Sequence, residues 1–236
     1  MLFYALLAVS YLTQKSVVIS FNSIKGGVGK STLATTMAGW LAAKGLDVLL
    51  VDGDDQETSS DFTAWREHTL GNTGYTLVNM TGANLRKQVE AMKAKYEYII
   101  IDTGGRDTTS QRAALSVADV SMIPFVPRSF DLWTINKVVT LIEEIQSIRT
   151  EPLIAYAFLS RADTKSADNR DVAEALNQIP ELKYLPYPII NRKAISNAAG
   201  LGLTVFEAEQ KDTKAIKEIE DLFNYVINGS HTTTIS

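Results

Sequence analysis

The sequence predicts a doubly wound α/β fold: a mostly parallel sheet of seven to eight strands with helices on both faces. Three observations lead there. Short apolar, β-branched runs alternate with helix-periodic segments along nearly the whole chain. Acidic residues stand at the carboxyl ends of two of those runs, at Asp52 to Asp55 and at Asp102, where open α/β sheets place their ligand chemistry. The first run, Val17 to Phe21, leads through a glycine-rich turn into Lys30-Ser31-Thr32 and an apolar-periodic helix reaching about Lys44.

Composition narrows the function classes. The 236 residues suit one domain of this kind, expected over 17–228 with a polar tail over 229–236. Cysteine is absent, which excludes disulfides, thiolate nucleophiles and cysteine-held zinc or iron–sulfur sites. Two histidines, His68 and His231, are too few for an ordinary histidine metal site. A formal net charge of −4 gives no global attraction to nucleic acid, so DNA binding needs a local basic patch. Residues 1–16 form an apolar extension (Leu2, Phe3, Leu6, Leu7, Val9, Leu12), too short to span a bilayer. It has no basic stretch ahead of the apolar run, since Lys15 comes after it, so it does not read as an export signal. An added helix packed on the domain and an extension from start-site choice both fit.

The turn after Val17–Phe21 reads as a phosphate cradle. Gly26, Gly27 and Gly29 can take backbone angles that turn successive N–H groups inward, and the helix N-terminus adds positive potential there. Lys30 would reach the β- and γ-phosphates, and the Ser31 hydroxyl would ligate Mg²⁺. The plain phosphate-loop pattern fails at one position, because Ile24 stands where its first glycine should be. What the stretch does match is Lys25-Gly26-Gly27-Val28-Gly29-Lys30-Ser31-Thr32, with a second lysine at the start.

That stretch resembles the deviant Walker A loop of the ParA/MinD ATPase superfamily. The resemblance implies a P-loop NTPase fold, ATP and Mg²⁺ as ligands, and a homodimer in ATP. It also implies that Lys25 crosses the dimer interface to the partner's nucleotide.

The remaining elements follow in order. Leu46 to Val51 is a second buried strand, ending in Asp52-Gly53-Asp54-Asp55-Gln56. The family carries Asp-x-Asp-Pro-Gln here; Asp52, Asp54 and Gln56 match, while Asp55 replaces the proline. By that resemblance Asp54 belongs to the Mg²⁺ shell and orients the attacking water. A helix over Ser59–His68, a turn at Gly71–Gly74, a strand at Thr76–Met80 and a helix over Leu85–Lys95 carry no evident chemistry. Tyr96 to Asp102 is an apolar strand ending in aspartate, the Walker B pattern, whose carboxylate holds Mg²⁺ through water. Gly104 and Gly105 follow it and suit a loop that moves when the γ-phosphate leaves; Arg106 departs from the family pattern.

Ala118–Pro124 is another core strand, and Leu132–Ile148 a helix with a broad apolar face. That face fits a dimer interface, as in the family, and fits the core equally. Pro152–Leu159 is a strand leading to Ser160, near which relatives often carry a base-reading asparagine. Asp168–Gln178 is a helix, and Tyr184–Ile190 a strand broken by Pro186 and Pro188. The segment from Asn191 resembles the family's late nucleotide-side segment, which makes Asn191 and Arg192 candidate nucleotide contacts. The last helix, Asp212–Asn228, bears lysines near its start. Arg192, Lys193, Lys211, Lys214 and Lys217 form a candidate DNA patch or simply a solvated face.

The resemblance is closest to small plasmid-type partition ATPases without an N-terminal helix-turn-helix domain. It implies slow hydrolysis, stimulation by a ParB-like centromere-binding adaptor, and non-specific DNA binding in the ATP state. It also implies a cytoplasmic, nucleoid-associated protein. A membrane-cycling relative would need a C-terminal helix with a basic face, and Glu218, Glu220 and Asp221 argue against membrane binding. Three alternatives stay open: a MinD-like membrane-cycling ATPase, a nucleotide-gated scaffold that positions cargo on membrane or nucleoid, and a metabolic P-loop ligase, against which Lys25 speaks.

Overall fold

The computed structural model describes residues 16–105, 108–130 and 132–232. Residues 1–15 of the apolar N-terminal extension and Arg106 lie outside the described residues. The sheet contains β1 (Val17–Phe21), β2 (Val48–Gly53), β3 (Thr76–Asn79), β4 (Tyr98–Thr103), β5 (Val120–Phe125), β6 (Ile154–Leu159) and β7 (Lys183–Tyr184). Its order is β3-β2-β4-β1-β5-β6-β7, and every pairing is parallel. The helices are α1 (Lys30–Ala42), α2 (Thr58–Leu70), α3 (Asn84–Met92), α4 (Thr109–Val117), α5 (Leu132–Ser147), α6 (Asp168–Asn177), α7 (Lys193–Ala199) and α8 (Thr213–Thr232).

The central strands are apolar at nearly every position because both faces of the sheet are covered. Val18, Leu49, Val51, Ile99 and Ile101 point into one layer with α3, α4, α5 and α6. Ile19, Phe21, Leu50 and Ile100 point into the other, against α1 and α8. Each such fully buried side chain contributes about 1.5–3 kcal/mol, so the two layers hold the strand ends in fixed register. The apolar face of α5 is a core face: Ile135, Val138, Leu141, Ile142 and Ile145 are all buried.

Two elements differ from expectation. The strand drawn over Tyr184–Ile190 shortens to Lys183–Tyr184, because Pro186 and Pro188 have no N–H to give a ladder. The chain rejoins the sheet only at an isolated bridge between Ala162 and Ile190. The last helix runs on through Gly229 to Thr232. Gly229 is a packing position in that helix; a Cβ there would lie 3.1 Å from the Tyr156 hydroxyl.

The order of strands positions the site. The chain leaves β1 for β2, returns to β4 between them, and then crosses to β5 on the other side of β1. The carboxyl ends of β1 and β4 therefore face a crevice at the switch point, where ligands bind in such folds.

Candidate functional site

Phe21 of β1 is level with Asp102 of β4, and Asp102 is level with Asp52 of β2. The turn after β1 thus lies over two acidic strand ends. Gly27 and Gly29 take left-handed φ values of +73° and +94°, which turn the loop tightly enough to deliver Gly29 as the N-cap of α1. No side chain caps α1, so its first N–H groups are left for a ligand. They face a cleft of about 770 Å³ lined by the loop glycines, Lys30, Ser31, Thr32, Asp54 and the Gly104–Gly105 turn.

Lys30 is only 6% exposed. Burial pulls its ammonium below the usual value, against the opposing pull of Asp102 and Asp54. Asp102 is wholly buried, and burial raises its carboxyl to about 6, against hydrogen bonding from Ser31 and Ser59 and the charge of Lys30. Ser59 Oγ donates to Asp102 Oδ2 at 2.8 Å. Asp102 Oδ1 is buried without a hydrogen-bond partner among the described residues. A buried carboxylate with one oxygen engaged and one left over, hydrogen-bonded by Ser31 and sharing the Lys30 charge with Asp54, is an oxygen donor set that fits Mg²⁺. Among the described residues no group of three His, Asp or Glu forms a closed metal cage. A cation here would need ligand oxygens from a phosphate or water to complete its shell.

The two aspartates after β2 have separate jobs. Asp52 is buried, and its Oδ2 accepts from the Ser60 N–H at 2.8 Å and the Ser60 hydroxyl at 2.7 Å. It therefore caps α2, whose N-cap Glu57 is left-handed and offers no side-chain cap. Asp54 faces the cleft, and its Oδ1 accepts the Gln56 N–H at 3.1 Å. The two glycines after β4 have a packing role besides the mobility expected of them. A Cβ on Gly104 would sit 3.2 Å from Asp54 Oδ1, and one on Gly105 would sit 2.8 Å from the Gly26 Cα. At Gly105 the contact is with main-chain atoms, so that position needs glycine for the turn to rest on the phosphate loop.

Lys25 differs from Lys30 in position. It is half-buried at the loop's start and is not among the residues lining the cleft. Ser23 Oγ holds it by both main-chain groups, accepting from the Lys25 N–H at 3.0 Å and donating to its carbonyl at 2.9 Å. Val28 is buried beneath the loop.

Asn191 and Arg192 do reach the loop. They line a small apolar pocket of about 140 Å³ beside Gly29, Thr32, Ile189 and Ile195. The Arg192 guanidinium, however, is committed to Glu218 of α8 at 2.6 Å, with Asp212 3.8 Å away. Of the other four basic residues, Lys193, Lys211, Lys214 and Lys217 are all exposed. Lys217 pairs with Asp221 at 2.9 Å, and the Lys211 ammonium donates to the Phe206 carbonyl. Two of the five cations, Arg192 and Lys217, are thus paired with carboxylates of α8.

Three residues at the site carry no signal in sequence spacing. Ser59 meets Asp102 from the next helix. Ser160 Oγ donates to the Val28 carbonyl at 2.8 Å, and Arg161 Nη1 donates to the Gly27 carbonyl at 2.6 Å. Their contacts come from strand order, which brings the end of β6 to the back of the loop.

Fold and site together define a phosphate-loop nucleotide-binding protein. Residues 19–205 match the CobQ/CobB/MinD/ParA nucleotide binding domain, and the chain belongs to that family. It is 22% identical over 217 residues to the Maintenance of carboxysome distribution protein A of Halothiobacillus neapolitanus, covering 91% of this chain and 98% of that protein. The protein of the same name from Gloeobacter kilaueensis is 28% identical over 201 residues, covering 84% and 87%. Among solved structures, a plasmid partition protein of Borrelia burgdorferi bound to AMPPNP superposes with a TM-score of 0.72 at 19% identity, covering 91% of this chain and all of that one. That last likeness shows the fold.

Proposed function

We propose that the chain is an ATP-driven dimerising switch of ParA type that acts in DNA partition. The observation that carries this is the different placement of two lysines. Lys30 is buried between Asp54 and Asp102 inside the cleft, whereas Lys25 lies at the loop's edge outside its lining.

In this proposal the loop N–H groups and Lys30 hold the phosphates, and burial of Lys30 makes its charge more effective toward an anion. Ser31, Asp54 and Asp102 would hold Mg²⁺, which there neutralises charge on the phosphate oxygens. Asp54, at the mouth of the cleft, positions water. No group in the cleft is a strong general base, so intrinsic turnover is slow and awaits a ParB-like adaptor. Lys25 acts on the nucleotide of a second copy, so dimer formation reports ATP. The ATP dimer binds DNA without sequence preference.

One observation favours a second reading, a switch that positions a compartment cargo. The two relatives matched over most of their length are both called Maintenance of carboxysome distribution protein A. The two readings share the ATP cycle and differ in cargo. No helix among the described residues is long and apolar enough to cross a membrane.

Nucleotide titration with sedimentation tests the switch. Lys30→Ala should lose ATP binding, while Lys25→Ala should bind ATP nearly as wild type yet stay monomeric. Equal loss of binding in both variants would rule out a role for Lys25 across a dimer. Co-pelleting with DNA in ATP, ADP and no nucleotide tests the partition reading, and binding indifferent to nucleotide would count against it.

A further inference from the structure

We propose that Ser160 and Arg161 are positioning residues for the phosphate-binding loop, a two-point clamp from the end of β6 that sets the direction of the loop's N–H groups. The proposal rests on the nucleotide-binding reading of that loop.

The clamp takes two successive carbonyls. Arg161 Nη1 donates to the Gly27 carbonyl at 2.6 Å, and Ser160 Oγ donates to the Val28 carbonyl at 2.8 Å. A trans peptide is planar, so its C=O and the following N–H point in opposite directions. Holding the Gly27 and Val28 carbonyls against β6 therefore turns the N–H groups of Val28 and Gly29 the other way, toward the phosphate side. Gly29 suits the approach in two ways: its φ of +94° is left-handed, and a Cβ there would lie 3.2 Å from Ser160 Oγ.

The backbone at Arg161 points to the same role independently. Its φ is +52°, in the left-handed region that suits glycine, not arginine. The neighbours on either side explain why the chain must take this conformation. The Ser160 N–H donates to the Phe125 carbonyl of β5 at 2.8 Å, and the Ala162 N–H donates to the Ile189 carbonyl on the opposite side at 3.0 Å. The strand changes partner at Arg161, and a glycine would make that turn without strain. An arginine held in a strained conformation is a sign that its side chain is used. Arg161 also borders three cavities around the loop, of about 770, 440 and 140 Å³.

The strain supplies the discriminating test, because stability and binding should move in opposite directions. The probe is a fluorescent ADP analogue with Mg²⁺, titrated into the whole chain, alongside thermal melts without nucleotide. Arg161→Gly should melt at or above the wild-type temperature yet bind about tenfold more weakly, the loss expected for one charge-assisted hydrogen bond. Ser160→Ala should weaken binding by a similar factor, since the buried Val28 carbonyl loses its partner. The wild-type to Arg161→Gly ratio should hold from about 0.05 to 0.5 M salt, because the contact is to a carbonyl and not to the ligand's charge.

Four outcomes would overturn the clamp. One is Arg161→Gly binding within twofold of wild type; another is its losing stability and affinity together, as a merely structural contact would. A ratio that collapses in high salt would make Arg161 a direct phosphate contact. If the wild-type chain binds no adenine nucleotide, the functional reading falls and the clamp with it. The first three outcomes leave the functional reading intact.

Discussion

The Ser59 hydroxyl, in the first turn of α2, donates at 2.8 Å to Oδ2 of Asp102 at the end of β4. Only one turn of chain separates Asp54 from Ser59, so the segment carrying Asp54 is fastened to the Asp102 carboxylate. Asp52 secures the same helix through Ser60. The site is thus built on α2 as well as on the loop: one end of that helix sets both where Asp54 stands and which oxygen of Asp102 is left over.

That arrangement predicts a trade between stability and function at Asp102. Its carboxyl is raised from 3.8 to about 6 by burial. A carboxyl whose folded value lies above its unfolded value penalises the folded state once ionised. The penalty is absent below about 4, grows as pH rises toward 6, and is complete above that. Asp102→Asn, which keeps the shape and can still accept from Ser59, should therefore stabilise the nucleotide-free protein at pH 7 by on the order of 2–3 kcal/mol. It should abolish Mg²⁺-dependent ATP turnover. Melts at pH 5 and pH 7 check it; the gain should shrink at the lower pH, and a variant less stable than wild type at pH 7 would refute the assignment.

A second prediction concerns the joint between α2 and the late segment. Both Arg66 Nη atoms donate to Glu207 at 2.6 Å, and Glu207 also accepts from the Thr204 N–H and hydroxyl. Burial would raise the Glu207 carboxyl, but the hydrogen bonds from Arg66 and Thr204 outweigh it and hold it below its ordinary 4.5. Glu207→Ala strands a buried guanidinium, and should cost roughly 3–5 kcal/mol, lowering Tm by about 10 °C. A depressed carboxyl adds stability above its unfolded value and loses it as pH falls through the lower folded value. The gap between wild type and variant should therefore stay constant from pH 7 to pH 5 and close only below about 4. A gap that is already closed at pH 5 would contradict this.

How far the sequence foretold these features depends on whether the signal was local. The strand–turn–helix at Val17–Thr32 and the aspartates at strand ends are contiguous patterns, and the fold built from them is the one observed. Pro186 and Pro188 were visible as interruptions, and they do cut β7 short. What was not legible was made by distant contacts. Ser59, Ser160 and Arg161 are ordinary residues in ordinary places until the strand order brings them to Asp102 and the loop. The left-handed backbone at Arg161 has no sequence mark, because such positions usually announce themselves by glycine. The Arg192–Glu218 pair was equally hidden, and it turns a candidate ligand cation into a brace on α8.

Gly105 supplies a third prediction, about the turn after β4. A Cβ there would meet the Gly26 Cα at 2.8 Å and the Gly26 nitrogen at 2.9 Å, both main-chain atoms that cannot swing aside. Gly105→Ala should lift the turn off the loop while leaving the sheet intact, since β4 ends two residues earlier at Thr103. ATP turnover should fall about tenfold or more, the scale for misplacing groups at a reacting centre, with Tm within about 2 °C of wild type. Unchanged turnover would show that the contact between the turn and the loop has no part in the cycle.

The last prediction concerns DNA. An acidic chain with a net charge of −4 can hold DNA only through a local patch, and Lys193, Lys211, Lys214 and Lys217 are exposed near the start of α7 and α8. The structure also shows what opposes such a patch: Asp221 takes Lys217 at 2.9 Å, and Glu218 takes Arg192 at 2.6 Å. Exposed pairs of this kind are weak, worth under about 1 kcal/mol, so phosphates can compete for Lys217 more easily than for the half-buried Arg192. Dimerisation would double the contacts, and affinity depends steeply on their number. If an ATP dimer neutralises ~6 phosphates, raising salt from about 50 to 200 mM should weaken binding by roughly 10³-fold. A Lys211/Lys214/Lys217→Ala variant should flatten that salt slope. Asp221→Asn, which releases Lys217 without adding a cation, should strengthen DNA binding in ATP a few-fold. The measurement is a salt series of DNA binding in ATP for the three proteins. A slope that the triple variant leaves unchanged, together with an Asp221→Asn affinity equal to wild type, would show that these lysines do no more than solvate the surface of α8.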